Sequence, residues 1–171
     1  MLSRYFWTIL SSLLALCIGT FAMAEDSQVL NGSTILTISV GLEREDGGDN
    51  FVFDRAALSA LAATTFETST VWTNGVSSFT GVSLQNLALE LGVKDGWFLA
   101  TAINDYTVKI PLSDAVEGGP IIAYLKDGDE MSIRDKGPLW VIYPYDLNVD
   151  YRSEVIFSRS IWQLNRLEIL Q

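Results

Sequence analysis

The sequence contains no histidine, and its single cysteine, Cys17, lies in the apolar N-terminal stretch. Without imidazole or further thiols there is no ordinary ligand set for zinc, copper, haem or an iron–sulfur cluster. The Ser-His-Asp and Cys-His nucleophilic systems are excluded with them. One cysteine closes no intrachain disulfide, so the fold must be held by packing. Carboxylates and hard-cation ligation are the chemistry that remains.

Positive charge is also scarce. Eleven Lys and Arg stand against 21 Asp and Glu, a formal net charge of −10. An acidic body of this kind repels phosphate backbones and anionic membranes, which argues against a nucleic-acid partner.

The long apolar run is confined to the start. Arg4 supplies a positive charge, Tyr5 to Phe21 is mostly apolar, and Ala22 and Ala24 frame a small-residue cleavage site. This order predicts a secretory signal peptide over residues 1–24, cut after Ala24, and a periplasmic product. An uncleaved membrane anchor is the alternative, since the run is nearly long enough to span a bilayer. Leu16 is too bulky for a lipobox before Cys17. Residues 25–171 are then expected to form a single domain of 147 residues (171 minus 24), enough for one core.

Along that domain, alternation in "LTISV" (Leu36 to Val40) predicts a strand, and "FVF" (Phe51 to Phe53) its return. Asp54 stands as an N-cap before "RAALSALA", a short helix. "ETSTVWTNG", Glu67 to Gly75, reads as a strand ending in an Asn-Gly turn. Ser83 and Gly92 bracket a second helix with Leu84, Leu87 and Leu91 at helical spacing. "GWFLATA" and "TVKIPL" read as strands, and "PIIAYLKDGDEMSI" as a hairpin closed by Asp127-Gly128. "PLWVIYP" and "EVIFSRSIWQLNRLEIL" supply the last strands. Many short strands around two short helices predict an α+β domain.

Two motif matches fail on inspection. "EREDGGDN" lacks the D-x-D-x-D-G order of a calcium loop and reads as an acidic turn. "GVSLQ" is not G-x-S-x-G, and a serine there has no histidine base.

Three stretches in order, "FTGVSLQNLALELGV", "AINDYTVKIPLSD" and "IIAYLKDGDEMSIRDKGPLWVIYP", resemble the molybdopterin-binding domain of the sulfite-oxidase-type oxidoreductases. The resemblance covers Phe66 to Leu170. It implies a compact mixed β-sheet domain with a few short helices and a pterin pocket among loops at one end of the sheets. Those enzymes hold molybdenum through a cysteine thiolate, and the corresponding region here, Glu67 to Phe79, has none. A hydroxyl of Thr70 or Thr73 is a poor substitute, because molybdenum takes a deprotonated, soft ligand. The chain more closely resembles small exported versions of the domain that lack the cysteine. Some of these bind a free pterin and regulate a membrane-bound enzyme of cyclic-di-GMP metabolism. The resemblance therefore implies a metal-free pterin in place of the molybdenum cofactor, and the periplasmic domain of a membrane signalling protein as partner. A molybdopterin-dependent oxidoreductase lacking the usual ligand, and a structural domain with an emptied pocket, are the alternatives.

A pterin needs an aromatic face, an acceptor for its N–H edge and donors for its carbonyl. A carboxylate suits the guanidine-like edge because it accepts two hydrogen bonds side by side. "RDKG" offers Arg134 as donor, Asp135 as acceptor and close backbone approach at Gly137, or else it is a solvated turn. "NDY" offers Asn104, Asp105 as the preferred carboxylate and Tyr106 as a wall, or else it is an Asx turn. Trp72 stands where the enzymes place their metal ligand and is a candidate for stacking, or an anchor of the core. Arg159 pairs either with a ligand or partner acid, or with a structural carboxylate.

Overall fold

The computed structural model describes residues 32–41 and 48–171. The expected signal peptide and most of the acidic turn, residues 42–47, lie outside the described residues.

Two sheets carry the domain. The first has the order β2 (Asp49–Phe53), β1 (Leu36–Val40), β10 (Leu164–Leu170), β5 (Trp97–Ala102), β6 (Thr107–Pro111). All its pairings are antiparallel except β1 with β10, which run parallel and join the two ends of the described chain. Period-two alternation explains which faces are hidden: Leu36 and Ile38 of β1, Phe98 and Ala100 of β5, and Leu167 and Ile169 of β10 are all buried. The second sheet has the order β3 (Ala63–Ser69), β4 (Val76–Ser83), β7 (Ile121–Lys126), β8 (Asp129–Glu130), and β9 (Trp140–Ile142) also pairs with β7. Ile121 to Tyr124 are buried without alternation, as expected of a strand covered on both faces. The core between the elements is apolar and includes Trp140, Tyr143 and Tyr145, all essentially inaccessible.

Helix starts follow their caps. Asp54 accepts from the Ala57 N–H at 2.8 Å and opens α1 (Arg55–Ala60). Ser83 accepts from the Asn86 N–H at 3.0 Å and opens α2 (Leu84–Glu90), whose Leu84, Leu87 and Ala88 face the core. Gly92, at φ 67, then reverses the chain.

Two expected elements are corrected. The β-branched and aromatic residues of "EVIFSR" suggest a strand, yet Glu154–Arg159 is a helix, α3, opened by Ser153. Burial of Ile156 against the core outweighs the strand propensity of its neighbours. The strand expected over Glu67 to Gly75 is shifted towards the N-terminus: β3 is Ala63–Ser69, and residues 70–75 form the hairpin turn. There the Thr70 and Thr73 hydroxyls bond each other at 2.8 Å, and the Trp72 N–H donates to Thr70 Oγ1 at 3.1 Å. Side chains that satisfy the backbone locally compete with a ladder.

The Asp127-Gly128 hairpin forms as expected, with both residues at positive φ. The charged stretch before Gly137 becomes a single 3-10 turn, Ile133–Asp135.

Candidate functional site

Three connections meet at one place on the surface: the β3–β4 turn carrying Trp72, the β5–β6 turn carrying Asn104 and Tyr106, and the α3–β10 segment from Phe157 to Gln163. Between them lies a cavity of about 360 Å³. That size falls in the range of small-molecule sites, about 300–1,000 Å³. Trp72, Tyr106, Phe157 and Trp162 supply aromatic walls. Ala102 and Ile161 add apolar surface, and Asn104, Ser158, Ser160 and Gln163 add neutral polar groups. Among the described residues, no carboxylate, ammonium or guanidinium lines the cavity.

The Trp72 wall is built by packing. Its ring lies edge-on to four others, with centroids at 5.7 Å to Phe157, 5.8 Å to Trp140, 5.8 Å to Trp162 and 6.3 Å to Tyr145. Edge-to-face contact is the arrangement that the ring quadrupole favours. Beneath the turn, Asp146 accepts from the Ser69 N–H at 2.6 Å and the Ser69 hydroxyl at 2.7 Å, and pairs with Arg152 at 2.6 Å. The Ser69 amide and hydroxyl, with the Arg152 guanidinium, hold the Asp146 carboxyl below the usual carboxylate range.

The α3–β10 wall is fixed by buried polar groups. Trp140 donates its indole N–H to the Ser160 carbonyl at 3.1 Å. The Ser160 hydroxyl donates to Ile156 O at 2.9 Å, so the Tyr145 hydroxyl, 2.5 Å away, donates to Ser160. Burial pushes the Tyr145 phenol up to about 12, which keeps it a donor at ordinary pH. Lys136 sets its ammonium over the Trp140 and Trp162 rings, 5.6 and 5.2 Å from their centroids.

Of the residues singled out from the sequence, the structure brings Trp72, Asn104 and Tyr106 to the cavity. The others stand elsewhere. Asp105 adopts φ 65, which turns its carboxylate away from its two neighbours and onto Arg166 at 2.5 Å. Arg134 and Asp135 are exposed, and Asp135 accepts from the Ser132 hydroxyl at 2.8 Å. Gly137 is buried by its own chain: a Cβ there would stand 1.8 Å from the Met131 carbonyl oxygen. Its need for glycine is thus explained by packing. Arg159 bonds Asp114 at 2.9 Å, and Asp114 also accepts from the Tyr143 hydroxyl at 2.7 Å. Burial, then the nearby Asp114, drives the Tyr143 phenol far above its ordinary value.

Phe157, Ser158, Ser160, Ile161, Trp162 and Gln163 form a wall that the sequence pattern does not announce, because the β-branched and aromatic residues here suggest a strand. The signal available was Ser153 as a helix cap.

No family model matches the chain, and no curated protein matches it. Among solved structures, it is similar to the sulfane dehydrogenase SoxCD from Paracoccus pantotrophus, with a TM-score of 0.56 and 20% identity. The match covers 78% of this chain and 37% of that one, so the chain spans well under half the length of this neighbour. At that identity the likeness concerns the fold. The domain is α+β, of the mixed-sheet sulfite-oxidase type that the sequence led us to expect.

The donor set at the β3–β4 turn does not suit molybdenum. Glu67 to Phe79 has no thiolate, and the Thr70 and Thr73 hydroxyls that stand in this region are hydrogen-bonded to each other.

Proposed function

We propose that this domain is an exported, non-catalytic pterin-binding protein. It regulates a membrane-bound signalling enzyme of cyclic-di-GMP metabolism by contact with that enzyme's periplasmic domain. The observation that carries the reading is the character of the cavity: four aromatic walls with neutral hydrogen-bonding groups between them and, among the described residues, no charged side chain in the lining. A flat, neutral heterocycle buries its faces against such walls and pairs its edges with amides and hydroxyls. Acid–base or nucleophilic chemistry asks for an ionisable pair within reach of the reacting atom, and the lining supplies none. Oxygen-atom transfer at molybdenum lacks its ligand, for the reason given above. The position of the cavity among loops supports the signalling part of the reading. Ligand that orders the three connections alters the surface a partner meets, and it acts as a switch only to the extent that the partner prefers the loaded form or the empty one.

The test is direct. The mature protein is purified from the periplasm and denatured, and the released material is assayed for fluorescent pterins and for molybdenum. Pterin without metal supports the reading. Stoichiometric molybdenum overturns it in favour of an oxidoreductase, and the absence of both favours a structural domain with an emptied pocket.

A further inference from the structure

Gln163 joins the α3 wall to β10 in a left-handed conformation, φ 55, which a residue other than glycine seldom adopts without a reason. Its polar groups show what holds it there. The main-chain N–H donates to Lys136 O at 3.0 Å, and the carbonyl accepts from the Ile103 N–H at 2.9 Å. One residue thereby ties the 133–136 turn to the β5–β6 turn.

The side chain is fixed as well. Nε2 donates to Ile133 O at 2.8 Å, and only the nitrogen end of the amide satisfies a carbonyl. The amide therefore has one orientation. Its Oε1 receives no donor from the described residues, and Gln163 lines the cavity. Nearby groups complete a pattern. Ser158 spends its hydroxyl proton on Val155 O at 2.7 Å, which leaves its lone pairs open. Asn104 has its Oδ1 occupied by the Tyr106 N–H at 3.2 Å, which leaves its amide hydrogens. The α3–β10 side of the cavity is thus provided with acceptors, and the β5–β6 side with a donor.

We infer that Gln163 determines specificity within the pterin reading above, on which this step rests: its Oε1 accepts from the amino and ring N–H edge of a 2-amino-4-oxo heterocycle. A 2,4-dioxo heterocycle sets a carbonyl where the amino group stands, oxygen against oxygen, and is rejected. The 133–136 turn, none of whose residues lines the cavity, serves the site by holding this amide.

The probes are pterin and its 2,4-dioxo counterpart lumazine, titrated calorimetrically into the purified protein after endogenous ligand has been dialysed away. Wild type is expected to prefer pterin by about tenfold or more, and Gln163→Gly to bring the two within about twofold. Glycine adopts positive φ freely, so this variant keeps a melting temperature near that of wild type. Should glycine loosen the connection, Gln163→Asn tolerates the same backbone, withdraws the oxygen, and reads the same ratio. Discrimination that survives in these variants, or is absent from wild type while both probes bind, overturns the role of Gln163 alone. Failure of wild type to bind either probe overturns the pterin reading and this inference with it.

Discussion

Asp105 directs its carboxylate to Arg166 at 2.5 Å, while its two neighbours, Asn104 and Tyr106, face the cavity. The turn therefore divides its labour: the charged residue pairs on the outside and the neutral ones line the cavity. Asp105 is 82% exposed, and an exposed pair contributes little because water screens it.

Replacing Asp105 tests that division. Asp105→Asn is the suitable variant, since asparagine also tolerates positive φ. Pterin affinity is expected to stay at the wild-type value, and unfolding free energy to fall by less than about 1 kcal/mol. Urea melts and a fluorescence titration measure the two. A large loss of affinity would return Asp105 to the site.

The contrast between Asp105 and Gln163 shows where the sequence was readable. Caps and alternation placed β1, α1, α2 and the Asp127-Gly128 hairpin, because each rests on local geometry. Trp72 and the NDY turn were singled out through the family resemblance, and Trp72, Asn104 and Tyr106 line the cavity. Which way a side chain points was not. Asp105 and Asn104 are adjacent and both polar, and only the φ of 65 at Asp105 separates their directions. Gln163 carries no motif at all. Its importance comes from carbonyls of Ile133 and Lys136, nearly thirty residues away, which the fold brings alongside it.

The two tryptophans that pack edge-to-face in the cavity wall separate stability from binding. Trp72 is half-buried among four rings, whereas Trp162 is 39% exposed and packs mainly on Trp72, Trp140 and the Lys136 ammonium. Trp72→Ala is expected to cost about 2–4 kcal/mol, towards the lower part of the range for losing a large aromatic from a core. Trp162→Ala should cost about 1 kcal/mol, chiefly the cation–π and edge contacts. Both should abolish pterin retention. Equal stability losses for the two would show that Trp162 is as much a core residue as Trp72.

Acid should loosen the site through Asp146. Its pKa in the folded protein is depressed by the Ser69 amide and hydroxyl, with Arg152 contributing. A depressed carboxyl contributes stability that is complete above its unfolded pKa, about 3.9, and is lost as pH falls through the lower folded value. Asp146→Asn should therefore melt below wild type at neutral pH, with the gap closing on acidification below about pH 4. Because Ser69 begins the turn that carries Trp72, ligand affinity in wild type should decline over the same range. Melting curves of both proteins across pH 2 to 7 decide it. A gap independent of pH would mean that the carboxylate's charge contributes nothing.

Arg159 provides the sharpest test of whether the α3 wall is braced or merely adjacent. Its guanidinium and the Asp114 carboxylate are 22% and 15% exposed, and Tyr143 donates to the same carboxylate oxygen. Burial keeps that phenol protonated, so it remains a donor after the arginine is removed. Arg159→Met would strand a partly buried carboxylate with one neutral hydrogen bond, at an expected cost of about 1–3 kcal/mol. Arg159→Met combined with Asp114→Asn removes the stranded charge and should recover part of that loss, so the cycle reports a coupling between the two. Arg159 lies between Ser158 and Ser160, both of which line the cavity, and so pterin affinity should weaken in the single variant and recover in the double. If the single variant loses pterin and the double does not regain it while stability does recover, Arg159 touches the ligand directly. That would restore the role its charge first suggested.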